Sequence, residues 1–404
     1  MSRKWLIIGG VVVLVAVLAT LLVTGTIPGL KRRPKSVQME FWGVDDERVW
    51  REIISDYQKE NLGVKINYRQ LSADSFETDL VNALASGQGP DVIMFQHNWL
   101  PKHANKLAPA DPAIFSAEKL RALFPTVVEQ DFAPFGVVHA LPLYIDTLSL
   151  IYNRDIFDQR GVALPPRTWN EFTKAAQKLG FGRTAIGGSG KTIDRVADII
   201  SLLMLQDGVQ MTDEQFTRAI FARNGLSSLV FYLNFGNKFS PSYIWNDERD
   251  SALEGFAAGR VGMIFGYRYH VNLLRQVNPF LNIEIASPPQ LTTDKIVNHP
   301  FYHGLAVTAA SPYYEEAWKF IGYATTNRGA VMKYLGGVGQ LPALRTLIDQ
   351  VGNTQALSAR SWLQVDNRAI DQFFSEMVQS VFSGKEPSRA LTEAEEKINR
   401  LMKQ

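Results

Sequence analysis

The chain has no cysteine among its 404 residues. That excludes disulfides, thiolate metal sites, cysteine nucleophiles and a lipid-modified cysteine anchor, so any membrane attachment must be made by peptide. A concentrated basic surface is missing too. The 42 basic and 40 acidic residues nearly balance, but Arg3, Lys4, Lys31, Arg32, Arg33 and Lys35 all fall in the first 36 residues, which hold no acid. The remainder is mildly acidic and lacks the Lys/Arg clusters that nucleic-acid phosphates require, which excludes nucleic acid as a main partner. No internal repeat with a period of about 20–50 residues occurs, so solenoids and propellers are unsupported.

Long apolar runs are also absent, with one exception. From Trp5 to Ile27 the chain carries no charge over 23 residues. At ~1.5 Å per residue, a helix of that length spans a hydrocarbon core of about 30 Å. A cleaved signal peptide has a shorter apolar region, about 7–15 residues, followed by a small-x-small site. Thr24-Gly25-Thr26 is a poor site of that kind, so residues 5–27 are expected to be an uncleaved transmembrane signal anchor. Arg3 and Lys4 favour an inside N-terminus, whereas Lys31 to Lys35 load the other flank, and charge alone does not orient the body.

The chain as a whole is 46% hydrophobic and 20% charged, as in ordinary globular proteins, and is long enough for two or three domains. Val37 to Trp42 alternates like a strand, and Asp46 to Glu60 repeats apolar residues at Val49, Trp50, Ile53, Ile54 and Tyr57 as a helix does. Val64 to Tyr68 reads as a strand and Ser75 to Ala85 as a helix, stopped by Ser86-Gly87-Gln88-Gly89-Pro90 before the buried strand Asp91 to Phe95. Further helices are predicted over Trp169 to Leu179, Ile193 to Gln206, Asp213 to Ala222 (capped by Thr212) and Asp250 to Ala258, and a strand over Val261 to Phe265. The C-terminal third reads as largely helical. Alternating strands and helices imply an α/β fold with parallel βαβ units, whose ligands sit beyond the carboxyl ends of strands. Trp42, Asp45 and Asp46 stand at one such exit, Gln96, His97, Asn98 and Trp99 at another, and Tyr267 and Tyr269 after Met263 at a third.

Several short motifs occur in order: Gly87-Gln88-Gly89-Pro90-Asp91-Val92-Ile93, Leu141-Pro142-Leu143-Tyr144, Tyr152-Asn153-Arg154-Asp155, Pro166 to Phe172 and Phe256 to Met263, followed by Gly304-Leu305-Ala306-Val307. Each has a local physical role, such as Thr168 capping a helix with Glu171 as box partner and Gly259 ending another. Together they resemble family 1 extracellular solute-binding proteins, the substrate receptors of ABC importers, over nearly all of the chain beyond the anchor. The resemblance implies a two-lobed periplasmic-binding-protein-like fold of type II, with lobes 37–145 plus 304–338 and 146–303 plus 339–404. The hinge crossings are expected near Tyr144 to Leu148, His299 to Gly304 and Gly336 to Pro342. It further implies an extracytoplasmic body that performs no chemistry, needs no cofactor, binds a carbohydrate in the cleft and delivers it to ABC permease subunits, held to the cytoplasmic membrane by its N-terminal helix. A polyol phosphate or a polyamine stands as the alternative solute.

By motif position, Asn98 stands where relatives often carry a carboxylate, Asp146 at a ligand-contacting acidic hinge position, and Tyr267 and Tyr269 where relatives often place a sugar-stacking Trp. Flat apolar rings beside planar polar groups suit pyranose faces and hydroxyls. Trp42, Trp99 and Tyr269 are as readily explained by packing. Asp146 is equally a turn cap. His299 and His303 lack a third ligand and are read as structural, with no metal expected. The rival class rests on Ala185-Ile186-Gly187-Gly188-Ser189-Gly190-Lys191-Thr192, a relaxed P-loop, which lacks the buried strand before it that a nucleotide-binding enzyme requires.

Overall fold

Val37, Met39 and Phe41 alternate inward along β1 (Val37–Gly43), and β1 pairs in parallel with β2 (Val64–Gln70) on one side and β3 (Val92–Gln96) on the other. The computed structural model describes residues 36–351 and 354–403, so the apolar segment 5–27 lies outside the described residues. Within them, no helix is long and apolar enough to cross a membrane. The helix Glu47–Glu60 starts at Asp46, whose carboxylate accepts the Arg48 N–H, and buries Trp50, Ile53, Ile54 and Tyr57, the residues its spacing predicts. Trp50 meets the edge of Phe41 at 4.6 Å, and Phe320 covers Phe41 from the helix Tyr314–Thr326 at 5.9 Å.

The first sheet has the order β2-β1-β3-β10-β4, where β4 is Leu141–Pro142 and β10 is His303–Val307. The expected parallel arrangement holds only for β2, β1 and β3. β10 runs antiparallel to both β3 and β4, because the chain re-enters this sheet from the hinge end rather than from a covering helix. The second sheet, β7-β6-β8 (Met263–Gly266, Ser149–Asn153, Ile283–Ala286), is antiparallel throughout. Between the sheets, β5 (Asp146–Thr147) pairs with β9 (Pro300–Phe301), and Ile145 N–H donates to Leu341 O at 3.2 Å.

Two separate hydrophobic cores flank this junction. One draws on residues 37–145, 302–307 and 317–359, the other on 148–283 and 362–398. Ala343, Leu344, Leu347, Ile348, Ala356 and Ala359 thus belong to the first core, although residues from 339 onward were expected in the second lobe. Their apolar side chains are taken up by the first lobe, and the chain leaves it beside Asn298, whose carbonyl accepts the Arg360 N–H at 2.8 Å.

The helix predicted over Asp213 to Ala222 does not form. The Asp213 carboxylate accepts the N–H groups of Thr217 and Arg218 at 2.7 and 3.2 Å, and Phe216 lies at φ 55°. A short acidic side chain that captures nearby amides competes with the helical bonds, and a left-handed residue ends the possibility of continuing them. Thr212 bridges to Ala219 instead of capping. The helix Trp169–Leu179 forms as predicted, with Thr168 Oγ1 accepting the Glu171 N–H at 3.2 Å. Glu171 returns its bond to the Arg167 N–H rather than to that of Thr168.

Candidate functional site

Residues from both lobes meet at the hinge as a continuous band of rings. Tyr334 and Tyr144 stack at 6.4 Å, and Tyr144 OH bonds His303 Nδ1 at 2.8 Å. His303 meets Phe301 edge-on at 5.6 Å, and Phe301 lies 5.8 Å from Tyr269 and 5.2 Å from Tyr267. Tyr269 is 36% exposed and Phe301 and His303 are half-buried, so this band retains open faces.

The second lobe adds charge beside the rings. Asp194 and Arg195 precede the helix Val196–Gln206, and Arg195 holds Asp198 through Nε and Nη2 at 2.8 and 2.6 Å. The Arg195 guanidinium also lies over the rings of Tyr267 and Phe301, at 5.4 and 5.6 Å. Tyr267 OH donates to Asp198 at 2.8 Å, and His299 Nδ1 is 3.2 Å from that hydroxyl. His270 Nδ1 accepts the Tyr267 N–H, which leaves Nε2 to donate to Asp194 at 2.7 Å. Burial would push the Asp198 carboxyl up, but the charge of Arg195 holds it below its ordinary value.

Asp371, on the helix Asn367–Phe382, is pushed up to about 7 by burial and then by the charge of Asp198. Two carboxylates thus share one guanidinium, and the one without the direct bond takes the proton. The neutral form is favoured in the folded chain, so its stabilising effect is complete below the ordinary value of 3.8 and is lost as pH rises through about 7. Asp371→Asn should therefore raise Tm at about pH 8, with the gain disappearing towards about pH 4. Calorimetry of both proteins across that range checks the prediction, and a constant offset would contradict it.

The structure brings only part of the expected residue set to the band. Asp45 faces it from the first lobe, with Tyr334 OH donating to its carboxylate at 2.8 Å and burial raising its carboxyl to about 6. Tyr267 is fully buried beneath the band and positions Asp198 rather than presenting a face. Asp146 is buried too, with its carboxylate accepting Thr147 N–H at 2.9 Å and Arg268 N–H at 2.7 Å.

Four further candidates are held by other partners. Trp42 is 8% exposed, with Arg69 over its ring at 4.9 Å, and Asp46 is committed to its helix and to Arg48. Trp99 packs between Phe76 and Phe95, so its faces are already covered. Asn98 Nδ2 donates to Gln364 at 3.1 Å, bonding the exit of β3 to the segment that returns to the second lobe. Gln96 ends β3 opposite His303 and is 8% exposed. Sequence reasoning missed Asp194, Arg195, Asp198, Asp371 and Phe301. Asp198 was the readable one, a lone acid in the otherwise apolar stretch Val196-Ala197-Asp198-Ile199-Ile200, three residues after an arginine.

The glycine-rich loop at 185–192 is no phosphate cradle. Asp247 takes the Ser189 N–H at 2.7 Å and the Thr192 hydroxyl at 3.1 Å, Ser375 takes the Gly190 N–H at 3.0 Å, and the following helix begins only at Val196. His299 and His303 turn to different partners, Tyr267 and Tyr144, and do not converge.

Residues 43–331, well over half of the chain, match the family described as bacterial extracellular solute-binding protein. The chain belongs to that family. Among relatives of this solute-binding protein, a putative binding protein of Brucella abortus is 23% identical over 375 residues, covering 87% of this chain and 89% of the relative. The maltotriose-binding protein of Pyrococcus abyssi is 22% identical over 309 residues, covering 75% of this chain and 65% of its own. The sugar-binding protein MalE from Xanthomonas citri superposes with a TM-score of 0.74 at 19% identity, covering 91% and 98% of the two chains. That likeness carries the two-lobed periplasmic-binding-protein fold.

Proposed function

We propose that this protein is the carbohydrate receptor of an ABC importer, capturing an oligosaccharide between its lobes and presenting it to the permease. The observation that carries the reading is the band of open rings flanked by Asp194, Arg195 and Asp371. Tyr269 and Phe301 offer flat apolar faces to a pyranose ring, while the carboxyl groups accept from its hydroxyls and the guanidinium donates to them. Closure needs no chemistry, only a ligand that binds the closed arrangement more tightly than the open one. In this reading residues 5–27 anchor an extracytoplasmic body to the cytoplasmic membrane.

Thermal shift of the full chain against maltotriose, other neutral oligosaccharides, spermidine, glycerol phosphate and ATP tests the proposal. A saturable rise in Tm with at least one oligosaccharide is expected, and Tyr269→Ala should weaken that binding by roughly thirtyfold, the loss of about 2 kcal/mol at a central aromatic contact. Stabilisation by spermidine alone, or turnover of ATP that depends on Lys191, would overturn it.

A further inference from the structure

Away from the cleft, Arg249 sits in a cavity of about 650 Å³ lined by Phe181, Gly182, Tyr243, Trp245 and Arg260. Its guanidinium lies 4.3 Å from the Phe181 ring centroid and 5.3 Å from that of Trp245. Gly182 closes a third side at φ +75°, where an added Cβ would fall 2.6 Å from Nη1, so only glycine lets the guanidinium lie against the backbone. Among the described residues this side chain makes no hydrogen bond and no ion pair, whereas the two other cations on the cavity wall are matched, Lys238 with Glu248 at 2.6 Å and Arg260 with Asp250 at 3.0 Å. Trp245 is 3% exposed and contributes its ring to the wall, while its Nε1 is buried away from the cavity and has no partner among the described residues.

A guanidinium left unmatched on a cavity wall calls for acceptor oxygens. An arginine fixed by aromatic faces is pre-organised and weakly hydrated, so its planar fork binds a carboxylate or phosphate at low entropic cost. We infer that this cavity is a second binding site, for a small solute carrying a carboxylate or phosphate group whose oxygens lie on the Arg249 guanidinium. The site is distinct from the hinge cleft. Val261 precedes β7 and Tyr267 follows it, so at ~3.3 Å per residue the cavity and the aromatic band lie at ends of that strand up to about 20 Å apart.

Nuclear magnetic resonance of the full chain with ¹⁵N-labelled tryptophan reads the site directly, with the Trp245 indole signal assigned from Trp245→Phe. Glucuronate and inorganic phosphate are the two anionic probes and glucose is the neutral control, each titrated into the millimolar range. A saturable shift of the Trp245 signal with either anion, and none with glucose, is expected, and the tighter anion names the group recognised. Arg249→Lys keeps the charge but loses the fork, and should weaken the anion at least roughly tenfold while the melting curve and the other indole signals stay in place. No shift with either anion, an equal shift with glucose, or undiminished binding by a folded Arg249→Lys protein would each overturn the assignment.

Discussion

Asp198→Ala should lower the unfolding free energy by about 3–5 kcal/mol near neutral pH. Asp198 is 6% exposed, and one of its oxygens receives Arg195 Nε, Arg195 Nη2 and Tyr267 OH together. Truncation leaves the arginine with its direct counter-charge gone and the tyrosine hydroxyl without an acceptor, both inside the second lobe. Asp371 partly compensates. With Asp198 absent, the carboxyl of Asp371 is the acid left beside Arg195, and its pKa should fall from about 7 towards the ordinary carboxylate range. Differential calorimetry measures the stability loss, and carbon-detected titration of the Asp371 carboxyl measures the shift. Unchanged values in both would mean that Arg195 is held by other contacts.

The same cluster marks how far a sequence can be read. The apolar spacing of Trp50, Ile53, Ile54 and Tyr57 follows from one helix period and needs no distant partner, so the helix and its buried face are legible. The alternation of Val37, Met39 and Phe41 is legible for the same reason. Asp213 looks like the start of a helix because propensity is summed along the chain, while what the residue does depends on whether its carboxylate captures Thr217 and Arg218. Asp371 carries no local signal at all. It lies in an amphipathic helix far along the chain from Asp194 and Arg195, and its role exists only because the return to the second lobe brings that helix against theirs. Trp99 shows the opposite failure. It stands at a strand exit, where exposure is the default, but Phe76 and Phe95 close over it. The hinge is intermediate. The motif around Tyr144 to Leu148 locates one crossing, whereas the last crossing shifts towards residue 360 because apolar residues such as Leu344, Leu347 and Ile348 pack in the first core.

Asp146→Ala should cost stability and affinity together. The motif position of Asp146 suggests a side chain aimed at ligand, to be removed without effect on folding. Its carboxylate instead clasps two backbone amides, Thr147 within the hinge strand β5 and Arg268 at the first turn of the helix Arg268–Val277. That helix carries Tyr269, so the carboxylate fixes where the open ring stands relative to Phe301 on the neighbouring strand β9. Truncation leaves two amides without their acceptor, at about 1–3 kcal/mol for each group left buried, and frees the helix start to move. Asp146→Asn keeps one carbonyl oxygen for one of the amides and should fall between wild type and Ala. Burial raises the Asp146 carboxyl to about 7, so the wild-type hinge weakens as pH rises through that value, and the Asn variant should lose this dependence. Denaturant unfolding paired with calorimetric titration of an oligosaccharide ligand separates the two roles. Correlated losses identify Asp146 as the clasp that positions Tyr269. Lost affinity at unchanged stability would instead make it a direct ligand contact.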